Sequence, residues 1–516
     1  VVSSGILVSR ILGFLRNLAL FALLGRTGAT DLYAAAFTVP DYLFFLMAGG
    51  YLSITLVPIL SRHLAAGNEA EADRAFSAVF RMVTGAMGAI TLAVMALARP
   101  LTHVVFPEFA GADLDRLAGL MRIAFGAQVF FVAGTLLMAG QYARRRFVVP
   151  TLAPLVYNLG IILGGLAGAV LGDPSPEAFL WGGLIGAAAG NFGLQWWGAA
   201  RAGMRVRRDA PVRHPAVAEY VSLALPLMIG QSAVALDEQW PRLFGQFGGE
   251  GTIAGLTAAR QLNMLPVGVI AQAAGVAAYP FLARLVAEAR DGAYRETLLG
   301  SARAALAVAG LASAVVVGLA TPVVRLAYEY GEFRPADTGY VAPLLALFGL
   351  SIPFWAAHQV YTRGLYARRR MWLPVGLGTA VTAATVPALW WGVRAFGAAG
   401  VAAVSTAAVA ASAAGMAVAW HRSESAPGRE IAATALRVAV SATAAGAAAR
   451  LLTETIAPST RAGSAGVLVL GVVSAAVVYA GAGRAVGLTE LDPLWRRLRR
   501  ALNRGGSSPA PGAPEG

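Results

Sequence analysis

Fourteen stretches of this chain are apolar over the ~20 residues that a helix needs to cross a bilayer. They fall at 5–24, 31–58, 81–99, 119–141, 150–171, 178–200, 219–240, 252–282, 300–320, 340–362, 373–393, 398–420, 430–452 and 464–484. No soluble core absorbs that much hydrocarbon. Of 516 residues, 57% are hydrophobic and 13% charged, against about 25% charged in soluble domains. The expected fold class is an all-α polytopic membrane protein with about fourteen transmembrane helices. The opening stretch, 1–24, reads as a span carrying two arginines rather than a cleaved signal peptide.

Absences narrow the chemistry. With no Cys there are no disulfides, thiol nucleophiles or cysteine metal sites. All 41 basic residues are Arg, so a phosphate-binding loop of the Walker type lacks its Lys. The five histidines, His63, His103, His214, His358 and His421, are dispersed without metal-ligand spacing. No cofactor and no metal are expected. A net charge of +14 raises nucleic acid as a partner, but the arginines lie in short scattered loops, which argues against it.

The distribution of arginine sets an orientation. With the N-terminus cytoplasmic, inner loops and tail hold 27 of them and outer loops 9. That is a positive-inside pattern with both termini inside. YARRR occurs at 142–146 and again at 366–370, after the fourth and tenth spans, in loops expected to be cytoplasmic. Its ordinary role is to hold hairpins in orientation. Pro58-Ile-Leu-Ser-Arg62 and Pro280-Phe-Leu-Ala-Arg284 repeat with an offset of 222, nearly the 224 of YARRR. Two landmarks in one register indicate two parallel six-helix lobes, a transporter architecture with the substrate between the halves. The expected organisation is a lobe over 1–200, a cytoplasmic linker over 201–218, a second lobe over 219–420, two C-terminal helices over 421–490, and a basic then disordered cytoplasmic tail over 491–516.

Some charges interrupt the apolar runs. Arg10 and Arg16 lie in the first, about 9 Å apart along a helix and roughly 120° around it. Arg260 lies eight residues into the eighth, ahead of Pro266 and Gly268, which are expected to break the helix. An Arg at the bilayer centre costs about 2.5–3.5 kcal/mol on insertion scales, so such residues face a hydrated cavity or an anion. Arg10, nearer an end, can also snorkel, as can Arg122. Asp31 sits where it can cap the second span or pair with an arginine. Asp41, after Pro40, can oppose a cationic cavity or be satisfied by backbone at the proline break. A cavity lined by guanidiniums selects anions, and planar multi-oxygen groups above all. Phosphate or diphosphate is the implied headgroup, and lobes open sideways to the bilayer make a lipid-linked one plausible.

The stretch SRILGFLRNLALFALLGRTGATDLYAAAFTVP (9–40) resembles the opening of the MurJ/MviN lipid II flippases, within the multidrug/oligosaccharidyl-lipid/polysaccharide exporter superfamily. LVPILSR (56–62), TAARQLNMLPVGVIAQAAG (257–275) and AYEYGEFRPADT (327–338) are similar to further landmarks of that family. The resemblance implies export of an undecaprenyl-diphosphate-linked peptidoglycan precursor across a bacterial inner membrane by alternating access. It also implies that Arg10, Arg16, Asp31 and Arg260 match the family's cavity residues, and that the last two spans form a groove for the polyprenyl tail. The chain departs from the family pattern at Phe44, Phe45 and Gly49, where a basic pair and an acidic residue are usual, and at Ala259. A different lipid-linked glycan is therefore an open alternative, as is an inactive scaffold. A drug/cation antiporter requires cavity carboxylates to outnumber arginines. An enzyme acting on polyprenyl phosphates requires clustered carboxylates, and neither Asp31 with Asp41 nor Asp237 with Glu238 makes a convincing pair. A monomer is expected, with a possible coupling ion.

Overall fold

The computed structural model describes residues 2–48, 51–207, 209, 211, 213–458 and 460–490, apart from the side chains at 2–7, 48, 51–54, 227, 229–235 and 271–277. Gly49, Arg208, the 496–500 arginine cluster and the tail over 491–516 lie outside the described residues. The described residues form helices and no strand, in two compact units.

The first unit draws on Val1–Ala259, Ala327–Leu344 and Gly378–Ser405. It opens with α1 (Val2–Leu24), α2 (Gly28–Ala36), α3 (Thr38–Ala48) and α4 (Tyr51–Ala65). Next come α5 (Glu69–Ala96), α6 (Ala98–Val105), α7 (Gly111–Ala143) and α8 (Val148–Val170). α9 (Pro176–Gly186) passes through a π-helical stretch, Ala187–Leu194, into α10 (Gln195–Arg201). α11 (Pro215–Asp237) and the short α12 (Trp240–Gly245) precede α13 (Thr252–Ala287), which begins in this unit. Two apolar clusters hold the unit: Leu56, Phe76, Val79 and Leu136 in one, and Leu32, Leu117, Leu120 and Phe179 in the other. Because lipid is as apolar as the helices, their association depends on close packing of small residues. A Cβ on Gly160 of α8 would lie 2.6 Å from the Gly182 carbonyl of α9, and only glycine permits that approach.

The second unit comprises Arg260–Leu326, Leu345–Leu377 and Thr406–Gly516. After the rest of α13 come α14 (Asp291–Gly318) and most of α15 (Ala320–Tyr328), then the end of α16 (Pro335–Gly349), α17 (Ile352–Ala367), the two ends of α18 (Trp372–Glu424), α19 (Arg429–Ile456) and α20 (Arg461–Ala485), while the start of α16 and the middle of α18 belong to the first unit. α14 packs against α17 and α19, and α19 against α20. Its core gathers Tyr294, Tyr361 and Trp420; Trp420 Nε1 donates to Tyr294 Oη at 2.9 Å, and Tyr294 Oη to the Gly364 carbonyl at 2.9 Å.

Among the described residues, eight helical stretches are long and apolar enough to span a membrane. Each of the fourteen expected runs falls on helix, but several are interrupted. The second run does not begin as one helix: α2 and α3 are separate. Pro40 has no N–H for the Ala36 carbonyl and its ring crowds that group, so the chain turns at Phe37, whose N–H reaches back three residues to Ala34 at 3.3 Å. Conversely, α18 carries two runs, divided at Gly397 (φ 57°). The break expected at Pro266 and Gly268 does not occur: α13 continues through Pro266 and Pro280. A spanning helix tolerates proline when neighbouring groups satisfy the freed carbonyls.

The internal repeat is written in the backbone. α5 and α14 are both 28 residues long and start 222 apart. Both follow a left-handed residue, Gly67 (φ 71°) and Ala289 (φ 54°). Both end at a leucine in nearly the same conformation, Leu97 (φ −96°, ψ 14°) and Leu319 (φ −111°, ψ 22°). The offset then becomes 224, and the YARRR copies adopt one geometry. Arg145 (φ 58°) and Arg369 (φ 59°) are left-handed, while Arg146 and Arg370 donate their N–H to Gln141 and Leu365, closing α7 and α17. The middle arginine is therefore a helix terminator. The arginine before it is an anchor: Arg144 pairs with Asp73 at 2.7 Å, both largely buried, and Arg368 with Glu424 at 2.6 Å and Asp291 at 2.8 Å.

Neighbouring arginines of one motif should thus respond oppositely. Arg144→Ala leaves Asp73 buried and unpaired and should cost about 3–5 kcal/mol. Arg145→Gly relieves a left-handed Cβ and should be neutral or stabilising by up to about 1 kcal/mol. Thermal unfolding of the detergent-solubilised variants checks both.

Candidate functional site

α1 is held by the segment after α15. Its Phe21 ring meets Tyr328 at 4.8 Å and Phe333 at 5.7 Å, and Phe14 lies 6.2 Å from Tyr328. The Glu332 N–H donates to the Ala22 carbonyl at 2.9 Å, satisfying an acceptor in the last turn of α1. Gly331 (φ 57°) is required there, since a Cβ would stand 2.1 Å from the Ala22 oxygen. The YEYGEF stretch is therefore a structural clasp on the helix that carries the first two candidate arginines.

Arg10 is exposed on α1, whereas Arg16 is half-buried. Arg16 Nε and Nη2 donate to Asn17 Oδ1 at 3.2 and 3.1 Å, and among the described residues it has no carboxylate partner. Its charge reaches Tyr33, Tyr157 and Tyr328. The Asp41 carboxylate also acts on Tyr33 and Tyr157, and Arg242 on Tyr33, so these groups share one region of the first unit. Asp41 itself is paired: Arg242 Nη1 of α12 donates to its Oδ2 at 2.7 Å and to Gln239 Oε1 at 3.0 Å. Arg242 was not a sequence candidate. Its only signal is an arginine inside the apolar stretch WPRLFG.

Asp31 does not cap its own helix. Thr27 occupies that position, and the Asp31 N–H is already bonded inside α2 to the Thr27 carbonyl at 3.0 Å. The buried Asp31 carboxylate instead accepts from Gly251 N at 2.6 Å and Ala254 N at 2.7 Å, at the start of α13. In return Glu250 Oε1 accepts from Gly28 N at 2.9 Å, at the start of α2. Two helix N-termini, 224 residues apart in sequence, each receive a carboxylate from the segment of the other. Arg26 joins them: its Nε donates to Asp337 at 2.9 Å, its Nη1 to the Glu250 carbonyl at 3.4 Å, and its guanidinium lies 4.1 Å from the Tyr340 ring centre. Neither Glu250 nor Arg26 is legible as a functional residue from spacing, because each partner is remote in the chain.

Arg260 is half-buried on α13 and is the first residue of the second unit. Arg122 satisfies the end of α5, with Nε donating to the Met95 carbonyl at 3.0 Å. Phe44 and Phe45, at the departures in the second run, put aromatic rings where charges were expected; Phe44 packs on Phe131 at 5.5 Å. Among the described residues no group of His, Asp and Glu side chains could hold a metal ion.

The sequence model of the family described as "Lipid II flippase MurJ" matches residues 20–473. Asp31, Asp41 and Arg260 lie within that match. The probable lipid II flippase MurJ of Rhizobium tropici is 29% identical over 381 residues, covering 71% of this chain and 70% of that protein. The lipid II flippase MurJ of Burkholderia cenocepacia is 24% identical over 393 residues, covering 74% and 75%. A solved structure of lipid II flippase MurJ in an inward closed conformation superposes with a TM-score of 0.78 at 18% identity, over 96% of this chain and 99% of that one. An inward-facing multidrug resistance MATE family transporter of the MOP superfamily superposes at 0.67 and 14% identity, over 81% and 94%. At these identities the structural likeness is one of fold. The family match runs from α1 into α20, and the chain belongs to the lipid II flippase MurJ family.

Proposed function

We propose that this multi-pass membrane protein translocates lipid II, the undecaprenyl-diphosphate-linked peptidoglycan precursor, from the cytoplasmic to the outer leaflet of the bacterial inner membrane. The observation that carries the reading is Arg16, a half-buried guanidinium in an apolar helix, bonded to a neutral amide and, among the described residues, to no carboxylate. A charge so placed is stabilised by an anionic ligand, and a diphosphate matches its planar fork. Arg10, Arg16 and Arg260 are the proposed phosphate ligands, with Asp41 held back from them by Arg242. Asp31 acts indirectly by fixing the start of the helix that carries Arg260.

In this reading the lobes over 1–200 and 219–420 alternate access around the diphosphate, with the linker over 201–218 and both termini cytoplasmic and the helices over 421–490 serving the polyprenyl tail. The protein works as a monomer, since each chain supplies both halves. Moving one net negative charge outward against an inside-negative potential is favourable by about 2.3 kcal/mol per 100 mV. That drives or resets the cycle without ATP, and a coupling ion adds to it. The aromatic pair Phe44 and Phe45 favours a second reading, in which the same diphosphate carries a different glycan.

Arg16→Ala and Arg260→Ala should fold and yet fail to support growth of flippase-depleted cells, each weakening diphosphate binding about 10–100-fold. Full complementation by both variants would remove the mechanism. If the wild-type chain fails to complement but flips another polyprenyl-diphosphate glycan in vesicles, the second reading holds. Asp31→Ala leaves two buried N–H groups unpaired and should lower stability by about 2 kcal/mol or more. Asp31→Asn, which keeps one acceptor, should recover part of that in the same unfolding measurement.

A further inference from the structure

A pocket of about 220 Å³ lies within the first unit, between α3, α7, α8 and the π-helical stretch. Its wall is hydrocarbon and ring: Phe44, Phe131, Met138, Ala153, Pro154 and Tyr157. Phe131 joins the two ends, meeting Phe44 at 5.5 Å and Tyr157 at 4.8 Å, both edge-on. Two polar residues on the wall are already engaged. Thr135 Oγ1 donates to the Phe131 carbonyl at 2.8 Å, and Gln195 Oε1 accepts from Gln141 Nε2 at 2.6 Å. Asn191 and Tyr157 also bring polar side chains to the wall, but most of what an occupant meets is apolar surface, which suits hydrocarbon and penalises a hydroxylated sugar.

The π-helix shapes the space. Its wider turn brings the Asn191 carbonyl so near α7 that a Cβ on Gly134 would lie 1.7 Å away. The two helices thus meet backbone to backbone, and the pocket opens beside that fixed contact, as π-turns at functional sites commonly allow. The volume is below the roughly 300–1,000 Å³ of sites that enclose a whole small molecule. It fits part of a larger ligand. Tyr157, at one end, belongs to α8, which packs along α1, the helix that carries Arg16, so the pocket lies on the side of the proposed diphosphate ligand.

We propose that this pocket holds the first isoprene units of the polyprenyl chain, the hydrocarbon attached directly to the diphosphate at Arg16. The inference rests on the function proposed above and adds a subsite to it. A diphosphate lipid has a saccharide on one side and isoprene on the other, and only the second is free of hydroxyl groups.

Two probes separate the parts: inorganic diphosphate, and geranyl diphosphate, which is the same anion carrying two isoprene units. Affinities are measured calorimetrically on the full chain in detergent. The wild-type chain should bind geranyl diphosphate about tenfold or more tightly than inorganic diphosphate. In Ala153→Leu and in Met138→Trp, which fill the space from opposite walls, that ratio should fall toward one. Equal affinities in the wild type, or a ratio unchanged in the filled variants that unfold at the wild-type temperature, overturns the subsite while leaving the arginine site standing. Binding of neither probe by the wild type overturns the functional reading and the subsite together.

Discussion

A charge in hydrocarbon must have a partner, and the placement of partners explains most of this molecule. Four carboxylates of the first unit are committed to groups other than Arg16. Asp41 belongs to Arg242, Asp31 to two amides of α13, Glu250 to an amide of α2, and Asp337 to Arg26. Arg16 is left facing a neutral amide. Had Asp41 paired with Arg16, the helix would be better compensated and the anion site would be gone.

The mutual capping of α2 and α13 applies the same rule to the backbone. A helix start has N–H groups without intrahelical acceptors, and at the start of α13 burial keeps water from satisfying them. Supplying each start with a carboxylate from the other segment satisfies both and fixes their separation. The cap therefore positions as well as stabilises, because it ties α2 to the turn from which the helix bearing Arg260 departs. The clasp of Glu332 on the Ala22 carbonyl does the corresponding work at the far end of α1.

Local patterns were legible in the sequence and remote pairings were not. Runs of apolar residues gave the helices, because length and hydropathy are properties of neighbours. The repeat was legible because Pro58 and YARRR recur in register, and the backbone extends it to Leu97 and Leu319, which open LARP and LATP at the same offset of 222. Pro40 broke its helix while Pro266 did not, since the outcome depends on what surrounds the freed carbonyl, and sequence does not show that. Asp31 read as a cap for its own helix or a partner for an arginine, but its partners are amides 220 and 223 residues away. No local rule reaches that far.

The arginines fall into two physical kinds, which their number alone conceals. Arg144 and Arg368 are immobilised by carboxylates at helix ends, and Arg145 and Arg369 serve through their backbone conformation. Replacing any of these by a ligand-binding role would require first breaking a structural bond. Arg16 has only its two bonds to the neutral Asn17 amide to exchange, so an anion contact there displaces an uncharged acceptor rather than an ion pair. The same distinction accounts for Phe44. A guanidinium there would need a second acid in a region where Asp41 is already taken, whereas a ring needs only the ring of Phe131 beside it. Trading that charge for an aromatic wall leaves a region with one anion-seeking group and hydrocarbon next to it, which is the chemistry of a diphosphate where it meets its lipid.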